Sequence, residues 1–238
     1  MYKRIILKLS GETLAPETLE GAKSPTFDAL RVEEVARVIA ELAGMGVQVG
    51  VVMGGGNIWR GRFSEEMNAV NADQMGMLAT VINALAVEDA LCRLGQKATV
   101  FTAQEMNRFA RLYTAKAAIE CMENGEIVLL AGGTGNPFFT TDTGAALRAA
   151  ELGADAVFKG TTVDGVYDSD PRTNPNARLL TDITYAQCIR QGLKVMDATA
   201  FQLCMERGVK AIRVFSMDDL NNVLRVAAGE NIGSLVHA

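Results

Sequence analysis

Histidine is nearly absent from this sequence, whose single example, His237, is the penultimate of 238 residues. Ser-His-Asp hydrolases, Cys-His proteases and zinc enzymes with several histidine ligands all hold a histidine inside the active site. With one histidine, outside every candidate motif described below, these three classes of enzyme are close to eliminated.

Cysteine and long hydrophobic runs are also scarce. The four cysteines have no paired spacing, which favours thiols packed in a core over disulfides or a metal site. They are Cys92, Cys121, Cys188 and Cys204. The apolar runs are short, as in Val47–Met53, which Gln48 interrupts, so no segment is predicted to span a bilayer. Lys3 and Arg4 precede a strand-like run without the apolar stretch of an export signal, and we expect a cytoplasmic protein.

Positive charge is in slight deficit, with 23 lysines and arginines against 28 acidic residues and a net charge of −5. Dedicated nucleic-acid binders usually carry a basic face, so nucleic acid is not an expected partner, although the total leaves room for a local basic pocket. Apolar residues make up 49% of the chain. A chain of this length can bury a core without disulfides or a structural metal.

Short β-branched apolar runs alternate with amphipathic segments along the chain. The predicted strands are Arg4–Leu9, Val47–Met53, Ala98–Phe101, Ile127–Leu130, Ala156–Phe158 and Ala211–Phe215. The predicted helices are Val32–Met45, Met75–Leu94, Ala115–Glu123 and Thr143–Leu152. This alternation is typical of a mostly parallel sheet covered on both faces. No linker or repeat divides the sequence, so we predict one α/β domain over residues 1–238, an α/β/α sandwich.

Ligands of open α/β sheets bind beyond the carboxyl ends of the strands, and four such segments here carry unusual chemistry. Lys8-Leu9-Ser10-Gly11-Glu12 places a cation beside a flexible turn whose N–H groups can bind an anion. After the second strand, Gly54-Gly55-Gly56-Asn57 lets the backbone approach a ligand, and the Arg60 guanidinium can take a phosphate. Each has a plainer alternative: a lysine that reaches solvent at a sheet edge, or a loop with a solvated arginine.

The third segment, Gly132 to Asp142, combines glycines, hydroxyls, an amide, two aromatic rings and a carboxylate in one turn before a helix. Thr141 or Asp142 would suit the N-cap of that helix. Phe138 and Phe139 alone could plug the core, but a short connection needs far fewer than eleven such residues.

The fourth segment runs from Lys159 to Pro171. Asp164-Gly165 is predicted to form a turn between two short extended pieces. Tyr167 and Asp170 are candidates to frame an adenine and a ribose, whereas an ordinary hairpin would leave the hydroxyl-rich rim unexplained.

Neither of the common nucleotide motifs is present. The sequence contains no G-x-x-x-x-G-K-[ST] run, and Gly54–Asn57 lacks the G-x-G-x-x-G spacing of dinucleotide folds. What remains is a histidine-poor α/β chain with several phosphate-type loops. That combination suits phosphoryl transfer, in which positioning and electrostatic stabilisation need no side-chain nucleophile.

These loops, in this order, resemble the amino-acid-kinase superfamily and, within it, the bacterial UMP kinases. The resemblance runs from about Tyr2 to Leu235 and is most specific at Gly133–Asp142. Supporting motifs are Lys8–Glu12, Gly54–Asn57 with Arg60-Gly61, Asp73 with Met75–Thr80, Val163–Tyr167 with Asp170-Pro171, and Lys194–Asp197. The resemblance implies the amino-acid-kinase fold and transfer of the γ-phosphoryl group of ATP to UMP.

The resemblance also implies roles for individual residues. The catalytic residues would be Lys8, Arg60 and Asp142. ATP would be bound by Lys8, Leu9, Ser10, Gly11, Gly56, Arg60, Thr161, Tyr167 and Asp170. UMP would be bound by Gly55, Asp73, Thr134, Gly135, Asn136, Pro137, Phe138, Phe139, Thr140 and Thr141. Magnesium would be carried by the ATP phosphates, since the sequence has no dedicated cluster of carboxylates for it.

The same resemblance implies a homohexamer inhibited by UTP, and the long apolar helix Met75–Leu94 could supply a subunit interface. Two positions depart from the pattern. Thr162 stands where many members have a lysine that contacts the nucleotide. Ala15–Asp28 lacks the Gly-Phe-Gly-Ile-Asp-like stretch that relatives tie to activation by GTP, so that activation loses its sequence basis here.

Two alternatives remain open. A carboxylate or carbamate kinase of the same fold should lack the Asn-Pro-Phe-Phe-Thr-Thr run and the ribose-type Asp73. A regulator that senses UTP without catalysis would not need Lys8, Arg60 and Asp142, all of which are present.

Overall fold

The computed structural model describes residues 2–15, 26–60 and 67–238. The strands are β1 (Arg4–Leu9), β2 (Gln48–Met53), β3 (Ala98–Thr102), β4 (Arg111–Leu112), β5 (Ile127–Ala131), β6 (Ala156–Thr161), β7 (Val166–Tyr167), β8 (Leu179–Leu180), β9 (Asp182–Thr184), β10 (Ala211–Ser216) and β11 (Ser234–His237). The helices are α1 (Ala29–Gly44), α2 (Ala69–Arg93), α3 (Ala115–Glu123), α4 (Thr141–Leu152), α5 (Tyr185–Gln191), α6 (Ala198–Arg207) and α7 (Asn222–Ala227). Gly61 and most of the atypical segment Ala15–Asp28 lie outside the described residues.

Nine strands form one sheet in the order β4-β3-β5-β2-β1-β6-β10-β11-β9. Every described pair in it is parallel except β10 with β11, and β7 and β8 form a small separate ladder. The predicted mostly parallel α/β sheet is therefore confirmed. All six predicted strands are present. Strands β4, β8, β9 and β11 have only two to four residues, too few to show a period, and they were not predicted. Helices α5 to α7 were not predicted either.

The alternation of side chains along β1 separates the two faces of the sheet. Ile5, Leu7 and Leu9 belong to the core cluster that includes residues of α1, α2 and α7. Ile6 belongs to the cluster on the other face, which includes residues of α3, α4, α5 and α6. Lys8 shares the parity of Ile6, so its side chain is directed to the face covered by α4. The predicted α/β/α sandwich is confirmed, and it decides which helix meets the strand-end lysine.

The N-cap of α4 is Thr140 rather than the predicted Thr141 or Asp142. The Thr140 hydroxyl oxygen accepts hydrogen bonds from the N–H groups of Asp142 (3.1 Å) and Thr143 (3.2 Å). Thr141 takes the first helical position, because the extended backbone needed at an N-cap falls one residue earlier.

Two other predictions need correction. Cys121, Cys188 and Cys204 are buried, as expected of core thiols, but Cys92 on α2 is exposed. By length and composition alone, helix α2 is long and apolar enough to cross a membrane. The search for uninterrupted apolar runs in the sequence did not predict this. Core helices pass the same test, and Val87 and Leu91 of α2 are fully buried in the core.

The single histidine lies at the sheet edge formed by β11 and β9. His237 Nε2 is 3.0 Å from Asp182 Oδ1, and its Nδ1 is 2.8 Å from the Ala238 carbonyl oxygen. The hydrogen bond to Asp182, followed by that to Ala238, raises the pKa of His237 above its ordinary value.

We expect this contact to stabilise the fold only while His237 is protonated. Because the folded-state pKa is raised, the stabilisation is complete below about pH 6.5 and is lost as the pH rises through the folded-state value. The pair is largely exposed to solvent, so the contribution should stay below about 1 kcal/mol. Urea unfolding of the wild type and of His237→Gln at a series of pH values measures it. A difference in unfolding free energy that does not shrink with rising pH would contradict the prediction.

Candidate active site

The parallel sheet brings the four unusual strand ends to one edge. β1 lies between β2 and β6, and Lys8 is in register with Val52 on one side and Lys159 on the other. β5 is the next strand beyond β2. The loops that follow β1, β2, β5 and β6 therefore emerge at the carboxyl edge, where open α/β sheets bind ligands.

Two cavities with a shared wall lie at this edge, of about 680 Å³ and about 560 Å³. Most of the predicted site residues line the larger one: Lys8, Ser10, Gly11, Gly55, Gly56, Arg60, Asp73, Thr134, Asn136, Phe139, Thr140 and Thr141. Asp142 lines the smaller cavity, and Lys8, Thr140 and Thr141 line both. These predicted ATP-phosphate and UMP residues thus surround one continuous region.

The remaining predicted residues line neither cavity. The Leu9 side chain is fully buried in the core, so only its backbone can face a ligand. Phe138 is 73% exposed. Gly135 and Pro137 line a separate cavity of about 350 Å³.

Thr161, Tyr167 and Asp170 also stay outside the two cavities. The Tyr167 hydroxyl donates to Asp164 Oδ1 (2.7 Å), and Asp170 Oδ1 accepts from the N–H of Arg172 (3.0 Å). The predicted turn at Asp164-Gly165 does separate two extended pieces, β6 and β7. They do not form a hairpin, however, because β7 pairs with β8.

A carboxylate between two lysines forms the centre of the site. Asp142, at the start of α4, has Oδ1 3.0 Å from Lys8 Nζ and Oδ2 2.6 Å from Lys159 Nζ. The three side chains are 15%, 13% and 9% exposed, respectively. Lys159 also donates to the Val195 carbonyl, and the Lys8 contact has ion-pair distance without hydrogen-bond geometry. The N–H groups of Lys8 are therefore available to an anion in the cavity.

The charges within this cluster shift the pKa values of two members. Burial, followed by the charge of Lys8, lowers the pKa of Lys159 to about 8, although Asp142 opposes the shift. Burial acts to raise the pKa of Asp142, but the charges of Lys8 and Lys159 outweigh it and hold that pKa below its ordinary value. The cluster carries a net positive charge when both lysines are protonated, which suits a phosphate group.

The loops after β1 and β2 are packed against each other. The Gly54 N–H donates to the Leu9 carbonyl (2.9 Å), and a Cβ at Gly11 would lie 2.7 Å from the Gly54 carbonyl oxygen. The Arg60 guanidinium contacts Glu12 and donates from Nε to the Gly56 carbonyl (3.0 Å). A ligand phosphate would compete with Glu12 for Arg60.

The loop after β5 is attached to α2 through Asp73. Asp73 Oδ2 accepts a hydrogen bond from the Phe138 N–H at 2.7 Å. Phe138 has a φ of +72°, the left-handed region that favours glycine, and it is the one non-glycine residue of the described chain with this conformation. Asp73, the residue predicted to bind ribose, therefore also holds the loop predicted to surround uracil.

A family model described as the Amino acid kinase family matches residues 3–216, which include all four strand-end segments. The chain belongs to the amino acid kinase family. Within the family it is 51% identical over 238 residues to the uridylate kinase of Bacteroides thetaiotaomicron, with 99% of this chain and 98% of that protein covered. It is also 51% identical, with the same coverage, to the uridylate kinase of Parabacteroides distasonis.

Two solved structures share the fold over nearly their whole length. The UMP kinase from Bacillus anthracis is 36% identical, with a TM-score of 0.92 over 99% of this chain and 96% of that one. The UMP kinase from Ureaplasma parvum is 36% identical, with a TM-score of 0.90 over the whole of both chains. The amino-acid-kinase fold expected from the sequence is therefore confirmed.

Sequence reasoning missed two residues of this amino acid kinase site. Lys159 belongs to the fourth strand-end segment and Asp197 to the motif Lys194–Asp197, but neither was given a role, although a lysine in an apolar strand is a usable signal. Asp197 accepts hydrogen bonds from the hydroxyls of Thr140 and Thr143 (2.8 Å) and from the Ala200 N–H (2.8 Å). It thereby joins the N-termini of α4 and α6, a contact that no local pattern indicates.

Proposed function

We propose that this amino acid kinase is a UMP kinase, transferring the γ-phosphoryl group of Mg-ATP to UMP and giving UDP and ADP in pyrimidine nucleotide biosynthesis. The observation that carries the proposal is the Lys8–Asp142–Lys159 cluster: Lys8 lines both cavities, and Asp142 lines the smaller one, beside the loop Thr134–Thr141. The names of the uridylate kinase relatives support the same acceptor.

Transfer would be direct and in line, without a phosphorylated enzyme. Lys8 and Arg60 would hold the transferring phosphoryl group, and Asp142 would orient Lys8 while keeping its charge partly balanced. Ser10, Gly11 and Gly56 would present backbone N–H groups to the ATP phosphates. Such positioning and electrostatic stabilisation account for most of the catalysis in phosphoryl transfer.

The acceptor would lie in the larger cavity. Asp73 would accept hydrogen bonds from ribose hydroxyls, and Gly55 would allow the UMP phosphate to approach the backbone. The residues from Thr134 to Thr141 would surround uracil and that phosphate. In the proposed ATP site, Thr161, Tyr167 and Asp170 would contact the adenosine part, Tyr167 and Asp170 after leaving their present contacts within the loop.

Magnesium would be supplied with the nucleotide. Residues 2–15, 26–60 and 67–238 contain no group of three or more His, Cys, Asp or Glu side chains arranged to hold a metal ion. Asp142 is engaged by two lysines, which makes its carboxylate a poor primary ligand. Mg²⁺ often keeps several waters and binds through substrate phosphates, so the ATP phosphate oxygens would hold it and it would neutralise their charge.

We further propose a single-domain protein of the cytoplasm that assembles as a homohexamer, with UTP as an inhibitor. Helix α2 supports the assembly because it exposes Met75, Leu78 and Ile82 at spacings of three and four residues, which places them on one face. Neither a membrane nor a nucleic acid is a proposed partner.

A coupled assay with Mg-ATP and a panel of acceptors tests the function. We expect turnover with UMP, and much less with CMP, dUMP, acetylglutamate or carbamate, because the Asp73 carboxylate and the Thr134–Thr141 loop suit a uridine ribonucleotide. A chiral γ-phosphate should be transferred with inversion. Turnover of a carboxylate or carbamate would indicate the alternative kinase class, and UTP binding without any turnover would indicate the sensor.

A further inference from the structure

Three of the four residues that directly follow β5 are glycines, which have no side chain to fix this part of the loop. Gly132, Gly133 and Gly135 have φ values of +76°, +59° and +84°, and none carries a Cβ. Glycine adopts positive and negative φ about equally well, so these glycines do not by themselves fix the backbone conformation. One hydrogen bond lies within the loop, from the Gly135 N–H to the Gly132 carbonyl (3.0 Å). Polar partners from neighbouring elements hold the other peptide groups.

Arg148 supplies one of these partners from behind the loop. It lies on α4, its side chain is 7% exposed, and its Nη2 donates to the Gly133 carbonyl oxygen at 3.1 Å. The guanidinium also donates from Nη1 to Glu151 Oε2 at 2.7 Å. Burying a charged side chain costs solvation free energy that only well-placed partners offset, which indicates that this arginine has a specific role.

One further side chain, Tyr113, helps to hold the guanidinium in place. Its central carbon lies 3.8 Å from the centroid of the Tyr113 ring, which is the distance of a stacked cation–π contact. The Tyr113 hydroxyl donates to the same Glu151 oxygen at 2.7 Å. Burial, followed by the bond to Glu151, raises the pKa of Tyr113, so the hydroxyl keeps its proton. Arg148 therefore has a fixed direction.

The backbone of α4 contacts the loop at the same place. A Cβ at Gly144 would lie 3.7 Å from the Gly133 carbonyl carbon, and Arg148 follows Gly144 by four residues on the same face of the helix. Asp142 lies at the start of the same helix. One rigid element thus carries the carboxylate between the lysines and the arginine that holds the loop.

We propose that Arg148 is a positioning residue for UMP, fixing the Gly133 peptide so that Thr134 and the residues after it face the acceptor. The inference rests on the proposed UMP kinase activity. Arg148 lines neither of the two cavities and acts through the loop. Its loss should therefore weaken UMP binding while leaving ATP binding intact.

The test compares Arg148→Lys with Arg213→Lys in the full-length protein. Arg213 is a matched control: it is equally buried and donates to the carbonyls of Glu230 (3.0 Å) and Ile232 (3.1 Å) near the C-terminal strand. We expect Arg148→Lys to raise the KM for UMP about tenfold with the KM for ATP unchanged, as expected for one lost charged hydrogen bond. Arg213→Lys should lower the melting temperature without changing either KM.

Tyr113→Phe gives a second reading if Arg148→Lys does not fold. It keeps the stacked ring and removes only the hydroxyl, so we expect a rise of about threefold in the KM for UMP alone. An unchanged KM for UMP in the folded variants, or an equal rise for ATP, would overturn the role of Arg148. Absence of UMP turnover in the wild type would instead overturn the proposed function, and this inference with it.

Discussion

Asp142→Asn is expected to lower kcat for UMP phosphorylation by about 10³, the upper range for loss of one preorganised electrostatic group. Asparagine fills the same space but leaves Lys8 and Lys159 without the carboxylate that lies within 3.0 Å and 2.6 Å of them. Two like charges would then face each other in a largely buried site. The coupled assay at saturating Mg-ATP and UMP measures the loss.

The pH dependence of the same variant gives an independent reading. Asp142 acts to raise the pKa of Lys159, whose folded-state value is about 8. Its removal should lower that pKa further, so Lys159 should lose its proton at a lower pH than in the wild type. If catalysis needs both lysines charged, the alkaline fall in kcat should begin at lower pH in Asp142→Asn.

Asp155→Asn is the matched control for both measurements. Asp155 precedes β6 at the opposite end of the strand, where it pairs with Lys210 at 3.0 Å and accepts from the Lys3 N–H at 2.8 Å. It is the same chemical change beside the same strand, away from the cavities, and kcat should stay within about twofold. An Asp142→Asn variant with more than a tenth of the wild-type kcat would refute the central role of the cluster.

Gly11→Ala should reduce kcat/KM for Mg-ATP by about a hundredfold, because it separates the two loops proposed to hold the phosphates. The added Cβ would lie 2.3 Å from Asn57 Oδ1, 2.7 Å from the Gly54 carbonyl oxygen and 3.0 Å from the Gly56 nitrogen. Two of these atoms belong to the backbone and cannot rotate away. We also expect a loss of about 1–3 kcal/mol in unfolding free energy, which denaturant titration measures.

Gly44→Ala is the control for the added methyl group. Gly44 ends α1, and a Cβ there meets nothing within 4 Å. Alanine is the better helix former, so the variant should be as stable as the wild type or more stable by up to about 1 kcal/mol, with unchanged kinetics. A wild-type kcat/KM in Gly11→Ala would contradict the prediction, because it would mean that the two loops can separate without affecting ATP binding or transfer.

Local patterns in the sequence predicted the fold class and the strand-end loops that surround the two cavities, whereas the roles of single residues follow from the family resemblance and stay predictions. The alternation in β1 directs Lys8 to the other face of the sheet from Leu7 and Leu9. The glycines after β2 and β5 mark turns at the carboxyl edge of the sheet, where ligands bind. These signals depend on residues a few positions apart, where a strand or helix period is visible. For the same reason the cap of α4 was predicted one or two residues late, at Thr141 or Asp142, since neighbouring polar side chains compete for one position.

The tertiary structure alone decided which distant residues meet. Lys8 and Lys159 are 151 positions apart and become neighbours because β6 pairs with β1, an order set by how the crossover helices pack. The contacts of Asp197 with Thr140 and of Arg148 with Gly133 depend in the same way on which helix covers which face. A strand's own pattern determines which side chains share a face. The pattern does not determine which strand lies beside it, because strand order depends on burying the apolar faces of all the helices and strands together.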